Sequence, residues 1–154
     1  MALSLTQTDA VEKLLKPGMR VASLGYPDII SPTFPVEVEF RPDSEAICKR
    51  HGLPNRPIPD AHSYFKILGA ELDVYDVVKE RGCEILCDLN NVWWSHDDTY
   101  DIVLDVGTAE HCFNIGQALM NMAGMVKEGG YIIHENPASA GNHGFYNLNP
   151  TLFY

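Results

Sequence analysis

Polar and acidic residues gather at the ends of two apolar runs. Tyr100 to Val106, Y-D-I-V-L-D-V, stops at Gly107-Thr108 and is followed by Glu110 and His111; Tyr131 to His134 leads into Glu135 and Asn136. Histidine alone among side chains has an unperturbed pKa near neutrality, so His111 and His134 are the candidate bases for a reaction whose accepting atom must lose a proton. Asp76 and Asp88, each near the end of a short apolar run, offer carboxylates as hydrogen-bond acceptors. Gly25, in S-L-G-Y-P-D, permits a sharp turn and close backbone approach to a ligand. Glu110, His111, His134, Glu135 and His143 also carry the donor atoms of a divalent-metal site. No tight spacing such as H-x-x-x-H singles one out, so no metal ligand is assigned. Plainer readings stand beside these: Asp76 and Asp88 as turn or cap residues, His111 and His134 as structural side chains, Gly25 as a tight turn.

These residues need elements to hold them. Ile102 to Val106 is branched and apolar except for Asp105, as a buried strand would be. From Asn114, the residues Ile115, Ala118, Leu119, Met122, Met125 and Val126 recur at helical spacing, Asn114 with Gln117 suits the first turn, and Gly129-Gly130 is expected to end the helix. Tyr131 to His134 then forms a second strand, completing a right-handed βαβ unit. Upstream, a short helix over Asp9–Lys16 stops at Pro17-Gly18, Arg20–Leu24 reads as a strand, and Ser44–His51 and Asp60–Leu68 as helices. Glu71–Val77 and Cys83–Leu86 read as strands. The link between them is shorter than a normal parallel crossover, so a single turn or a hairpin is expected. The proline-rich stretch 26–59 is too long for an ordinary connector and reads as a cover over the ligand edge or a partner contact. Leu89 to Thr99, with Trp93, Trp94, His96, Asp97 and Asp98, reads as a polar loop.

The chain has 154 residues, of which 45% are hydrophobic, enough for a single domain over 1–154 with a real core. A formal charge of −10, with no basic run, argues against nucleic acid as a partner. No apolar stretch approaches a bilayer span and Met1 to Gln7 lacks a leader's pattern, so a cytoplasmic protein without membrane contact is expected. Cys48, Cys83, Cys87 and Cys112 show no C-x-x-C pair and read as reduced, mostly buried thiols.

The order of segments from Lys16 to about Asn136 resembles the class I S-adenosylmethionine-dependent methyltransferases. R-V-A-S-L-G-Y-P-D resembles the family's first strand and glycine loop, G-A-E-L-D-V-Y-D-V its second strand with a terminal acid, and E-I-L-C-D-L-N its third. Y-D-I-V-L-D-V-G-T-A-E-H with V-K-E-G-G-Y-I-I-H resembles the fourth and fifth. The resemblance implies an α/β, Rossmann-like three-layer sandwich with a mostly parallel sheet of about five strands, lacking the usual last two. It implies S-adenosylmethionine as cofactor, with Asp76 accepting from the ribose hydroxyls, Asp88 and Leu89 meeting the adenine, and Gly25 and Tyr26 passing close to the methionine portion. Gly107, Thr108 and Glu110 would approach from the fourth strand. Methyl transfer to a small-molecule or sugar-like acceptor follows, with His111 or His134 as the base where one is needed.

Two rivals come from other classes. One is a methyltransferase-like binding or assembly module without turnover, since Ser23 stands where the family prefers an acid and Pro27 where it prefers a second glycine. The other is a metal-dependent enzyme built on the histidine and glutamate cluster. The sequence stops at Tyr154 soon after the fifth strand, as a natural miniature or a fragment would. The aromatic tail 138–154 is expected to bury itself over the cofactor edge or against a second subunit, and an exposed last strand favours a homo-oligomer.

Overall fold

The computed structural model describes residues 2–93 and 99–153. Trp94, His96, Asp97 and Asp98 of the expected polar loop lie outside the described residues. In chain order the elements are β1 (Ala2–Leu3), α1 (Leu5–Leu14), β2 (Arg20–Leu24), β3 (Asp28–Ile29), α2 (Ser44–Arg50), α3 (Ala61–Ile67), β4 (Glu71–Asp76), β5 (Ile85–Leu86), β6 (Tyr100–Val106), α4 (Ile115–Met125) and β7 (Val126–Glu135). The chain divides into two compact units, Met1–Met19 with Pro27–Leu72, and Arg20–Tyr26 with Asp73–Tyr154.

In the first unit the proline-rich stretch is more than a loop. Its β3 pairs in parallel with β1, a two-stranded sheet that the sequence reading did not anticipate. Ile47, Cys48 and Ile58 form a small core there, with Ile30 and Leu53 against it. Helix α1 starts at Leu5 rather than Asp9, because the Gln7 side chain accepts from the Ser4 amide at 2.8 Å and satisfies a donor at the helix start. Asp60 caps α3 by accepting from the Ser63 amide at 2.9 Å, and Gly69, at φ 80°, ends that helix as expected.

The second unit contains the candidate site residues. Five strands form one parallel sheet in the order β5-β4-β2-β6-β7, an α/β arrangement of Rossmann-like type. The short link between β4 and β5 makes a parallel connection, with Tyr75 opposite Ile85 and Asp76 opposite Leu86, so the hairpin alternative is excluded. Val21, Ala22, Leu24, Ile102, Val103 and Leu104 are fully buried, which is why β2 and β6 read as near-continuous apolar runs. Helix α4 packs against β6 and β7 through Ala118, Met122 and Met125. The Asn114 side chain caps it by accepting from the Gln117 amide.

The expected end of α4 at Gly129-Gly130 is corrected. The helix stops at Met125, and the ten-residue β7 begins at once with the β-branched Val126. Tyr100 pairs with Val126 and Ile102 with Tyr131, so residues 127–130 stand opposite Asp101 alone in a bulge. Lys127 pins the bulge, its Nζ 3.0 Å from Asp101 Oδ1, and Gly129 turns it at φ 77°. Among the described residues no helix is long and apolar enough to cross a membrane.

Two glycines test this packing with opposite signs. A Cβ on Gly130 would lie 2.9 Å from the Asp101 carbonyl and 2.8 Å from Val126 Cγ2, whereas one on Gly116 in α4 would meet nothing within 4 Å. In urea unfolding, Gly130→Ala is expected to lose about 1–3 kcal/mol, and Gly116→Ala to be neutral or to gain up to about 1 kcal/mol. Equal stability of the two variants would contradict the bulge.

Candidate functional site

Because the strands are parallel, the residues after their last positions share one edge of the sheet. Gly25 follows β2, Asp76 ends β4, Asp88 follows β5, Gly107 follows β6, and Glu135 ends β7. The chain runs from β2 outward to β4 and β5, then returns to the other side of β2 for β6 and β7. The order therefore reverses between β2 and β6, the point in such sheets where a ligand crevice forms. Gly25 (φ 91°) and Gly107 (φ 80°) flank that point in conformations that favour glycine. The Thr108 hydroxyl donates to the Leu24 carbonyl and ties the two turns together.

The expected nucleoside-side residues are engaged by other parts of the protein. The Gly25 amide donates to the Tyr75 carbonyl at 2.7 Å, and its carbonyl accepts from Ser23 Oγ at 2.8 Å. Tyr26 is buried, with the Arg81 guanidinium 4.3 Å over its ring. Asp76 Oδ1 accepts from the Val78 amide at 3.3 Å. Asp88 is exposed, accepts from the Asn90 amide and side chain and from Asn91 Nδ2, and the Asn90 hydrogen bonds hold its pKa below the ordinary value. Leu89 is buried, and its carbonyl accepts from Asn121 Nδ2 at 3.0 Å. Trp93 sets its ring edge-on to Tyr75, centroids 6.2 Å apart.

A denser polar cluster stands at the tips of β6 and β7. Asp105, fully buried, accepts four hydrogen bonds: from the Thr108 and Ala109 amides at 3.2 and 2.9 Å, from His134 Nδ1 at 2.9 Å and from Asn136 Nδ2 at 3.0 Å. A carboxylate only accepts, so the His134 proton sits on Nδ1 and a neutral ring keeps its lone pair on Nε2. The ring is stacked on Phe153 with centroids 4.3 Å apart and is 17% exposed. Asn136 Nδ2 also reaches Glu110 Oε2 at 3.0 Å, so one amide bridges two buried carboxylates.

Glu110 begins a second group. It is 0% exposed, yet its Oε1 lies 3.3 Å from His143 Nε2 and 3.8 Å from His111 Nε2, on imidazoles about half exposed. The tail is fastened there: the Phe145 and Tyr146 amides donate to the Glu110 carbonyl at 2.7 and 3.3 Å, and a Cβ on Gly144 would lie 2.7 Å from that carbonyl. The expectation that the aromatic tail buries itself holds only in part. Leu148 is buried, while Phe145 and Phe153 remain exposed.

No family model, curated protein or solved structure matches this chain. The site is therefore read from its own residues. The structure joins Glu110 to His111 and His143, and His134 to Asp105. It keeps His134 out of the Glu110 group, against the wider cluster of the metal reading, and Glu135 is likewise no member of it. Asp105 and Asn136 were not singled out from sequence as site residues. The available signal was an acid inside an otherwise apolar strand, and its meaning needed the register that sets Asp105 beside His134.

No disulfide joins the cysteines; Cys48, Cys87 and Cys112 are buried while Cys83 is exposed. Burial, and then nearby acids, push the thiols of Cys87 and Cys112 up to about 11. In a thiol-reagent time course at pH 8, one fast-reacting thiol is expected, and Cys83→Ser should remove it; several fast thiols would contradict this burial. Asp105→Ala strands two amides, an imidazole and an amide side chain at once and is expected to cost about 3 kcal/mol or more in urea unfolding. A loss under about 1 kcal/mol would show that the cluster is not closed as described.

Proposed function

We propose that the carboxyl edge of the sheet binds S-adenosylmethionine and that the protein transfers its methyl group to a small-molecule or sugar-like acceptor. The observation that supports this most is the reversal of strand order between β2 and β6, with left-handed glycines on both sides and the Asp76 carboxylate at the neighbouring β4 tip. In this reading Asp76 accepts from the ribose hydroxyls, while the Gly25 and Gly107 turns let the backbone approach the cofactor closely.

Held by Asp76 and the Gly25 and Gly107 turns, S-adenosylmethionine would supply an already activated methyl group for transfer to the acceptor. An acceptor that must lose a proton gives it to His134 Nε2. Asp105 holds the tautomer that makes this possible and stabilises the imidazolium that results. Alignment supplies most of the acceleration, because the sulfonium is already activated.

A second reading is a binding module without turnover. It is favoured by Asp88, whose carboxylate is held by Asn90 and Asn91, and by the Gly25 amide and carbonyl, both used inside the turn.

Calorimetry with S-adenosylmethionine and S-adenosylhomocysteine tests the proposal. Both are expected to bind, Asp76→Ala to weaken binding about 10-fold or more, equivalent to about 1.4 kcal/mol, and His134→Ala to leave binding intact while lowering transfer about 100-fold or more. Absence of binding by either compound sinks the proposal. Binding without transfer to any of a broad acceptor panel selects the second reading.

A further inference from the structure

We infer that Glu110, His111 and His143 form a site for a divalent transition-metal ion of the zinc class, with an open coordination position facing solvent. The Glu110 oxygen and an imidazole nitrogen from each histidine all lie within 4.8 Å of one another. Donors bonded at about 2.0–2.1 Å to a tetrahedral zinc ion stand about 3.3 Å apart. The Glu110 Oε1 to His143 Nε2 distance is already 3.3 Å, and His111 Nε2, at 3.8 Å from the same oxygen, closes the rest by a small rotation of an exposed ring.

Charge points the same way. Glu110 and Asp105 are both fully buried, and among the described residues no Lys or Arg reaches either carboxylate. A buried carboxylate needs compensation. Asn136 contributes a neutral dipole to both, which leaves the imidazole side of Glu110 as the place for a cation. His143 Nε2 faces that place, 3.3 Å from Glu110 Oε1. A metal ion would sit there, taking the nitrogen lone pair and the carboxylate oxygen together.

The surroundings are those of a built site. Asn136 Nδ2 on Glu110 Oε2 fixes the orientation of the carboxylate and leaves Oε1 for the ion, the role that outer hydrogen bonds play around metal ligands. The Phe145 and Tyr146 amides and the close approach of Gly144 hold residues 143–146 on Glu110, so His143 is delivered by the backbone and not by a free tail. His111 is brought by the short 3-10 turn Ala109–His111. Both imidazoles are about half exposed on their outer side, 51% and 52%, so a water or an oxygen-bearing ligand can complete the coordination. Two histidines and one carboxylate with a position open match zinc ions that activate water or polarise a carbonyl. The site uses none of Gly25, Asp76 or Gly107, although Glu110 and His111 are also residues to which the family resemblance gives roles, and Zn2+ binding is read without S-adenosylmethionine present.

The test uses the full chain purified without an affinity tag and stripped with a chelator. Titration with Zn2+ by calorimetry, and with Co2+ by the visible bands of a tetrahedral ion, is expected to show one saturable site per chain. His143→Ala and the double variant His111→Ala/His143→Ala should weaken binding more than about 100-fold, and Asn136→Ala about 10- to 100-fold. His62→Ala, on another element, should bind as the parent does. Zn2+ should raise the melting temperature of the parent and not of the double variant. Because His111 is exposed, His111→Ala keeps the test decisive should the double variant fail to fold, with a weakening of about 10-fold or more expected. Absence of saturable binding overturns the site, as does binding that persists unchanged in the double variant.

Discussion

A buried carboxylate with four donors around it is the constraint on which this structure turns. Each oxygen of the buried Asp105 carboxyl is matched by donors, and these come from two stretches of chain: the turn after β6, and the end of β7 with the residue beyond it. Satisfying one side chain therefore fixes the geometry of the Thr108–Ala109 turn, the tautomer and tilt of His134 and the position of Asn136. An unpaired donor in that place would cost as much as several ordinary contacts supply.

The second buried acid depends on the first. Asn136 is held by Asp105 and passes its amide on to Glu110, whose main chain then receives the tail at Phe145 and Tyr146. The tail thus belongs to the polar cluster more than to the apolar core, and this explains why its aromatic rings stay largely outside while His143 is set beside Glu110. The two carboxylates, Asp105 and Glu110, sit where low dielectric makes each hydrogen bond count for more.

The opposite edge of the sheet is arranged for stability. Arg20, at the start of β2, donates to Asp73 at 2.7 Å and lies over the Tyr100 ring. The Tyr100 hydroxyl meets Asp73 at 2.8 Å and Tyr75 at 2.5 Å. Burial, the Tyr75 hydroxyl and Asp73 all push the Tyr100 phenol far above its ordinary range, so it serves as a neutral hydrogen-bonding group. Asp101 accepts from the Arg20 amide and from Lys127; these outweigh burial and hold its carboxyl low. Ion pairs tie neighbouring strands together near their amino ends, and the candidate site residues lie at the carboxyl ends.

Much of this was legible in the residues themselves. Apolar runs ending at glycine pointed to β2 and β6, alternation with a terminal acid to β4, and helical spacing to α2, α3 and α4 within a few positions, because burial of one face imposes those periods whatever the neighbours are. Parallel pairing of β6 and β7 followed from the helix between them. The end of α4 did not follow, since a glycine pair reads equally as a helix stop and as a bulge, and only the pairing of Tyr131 with Ile102 decides which. Nor could the sequence say whether β4 and β5 run in parallel. Asp105 read as an interruption until register set it beside His134, and His143 read as one of several scattered donors until backbone hydrogen bonds carried it onto Glu110. Local pattern determines which segments are strands and helices. Which polar groups meet across 26 to 33 residues of chain is decided by strand register and turn geometry, and these exist only once the core has closed.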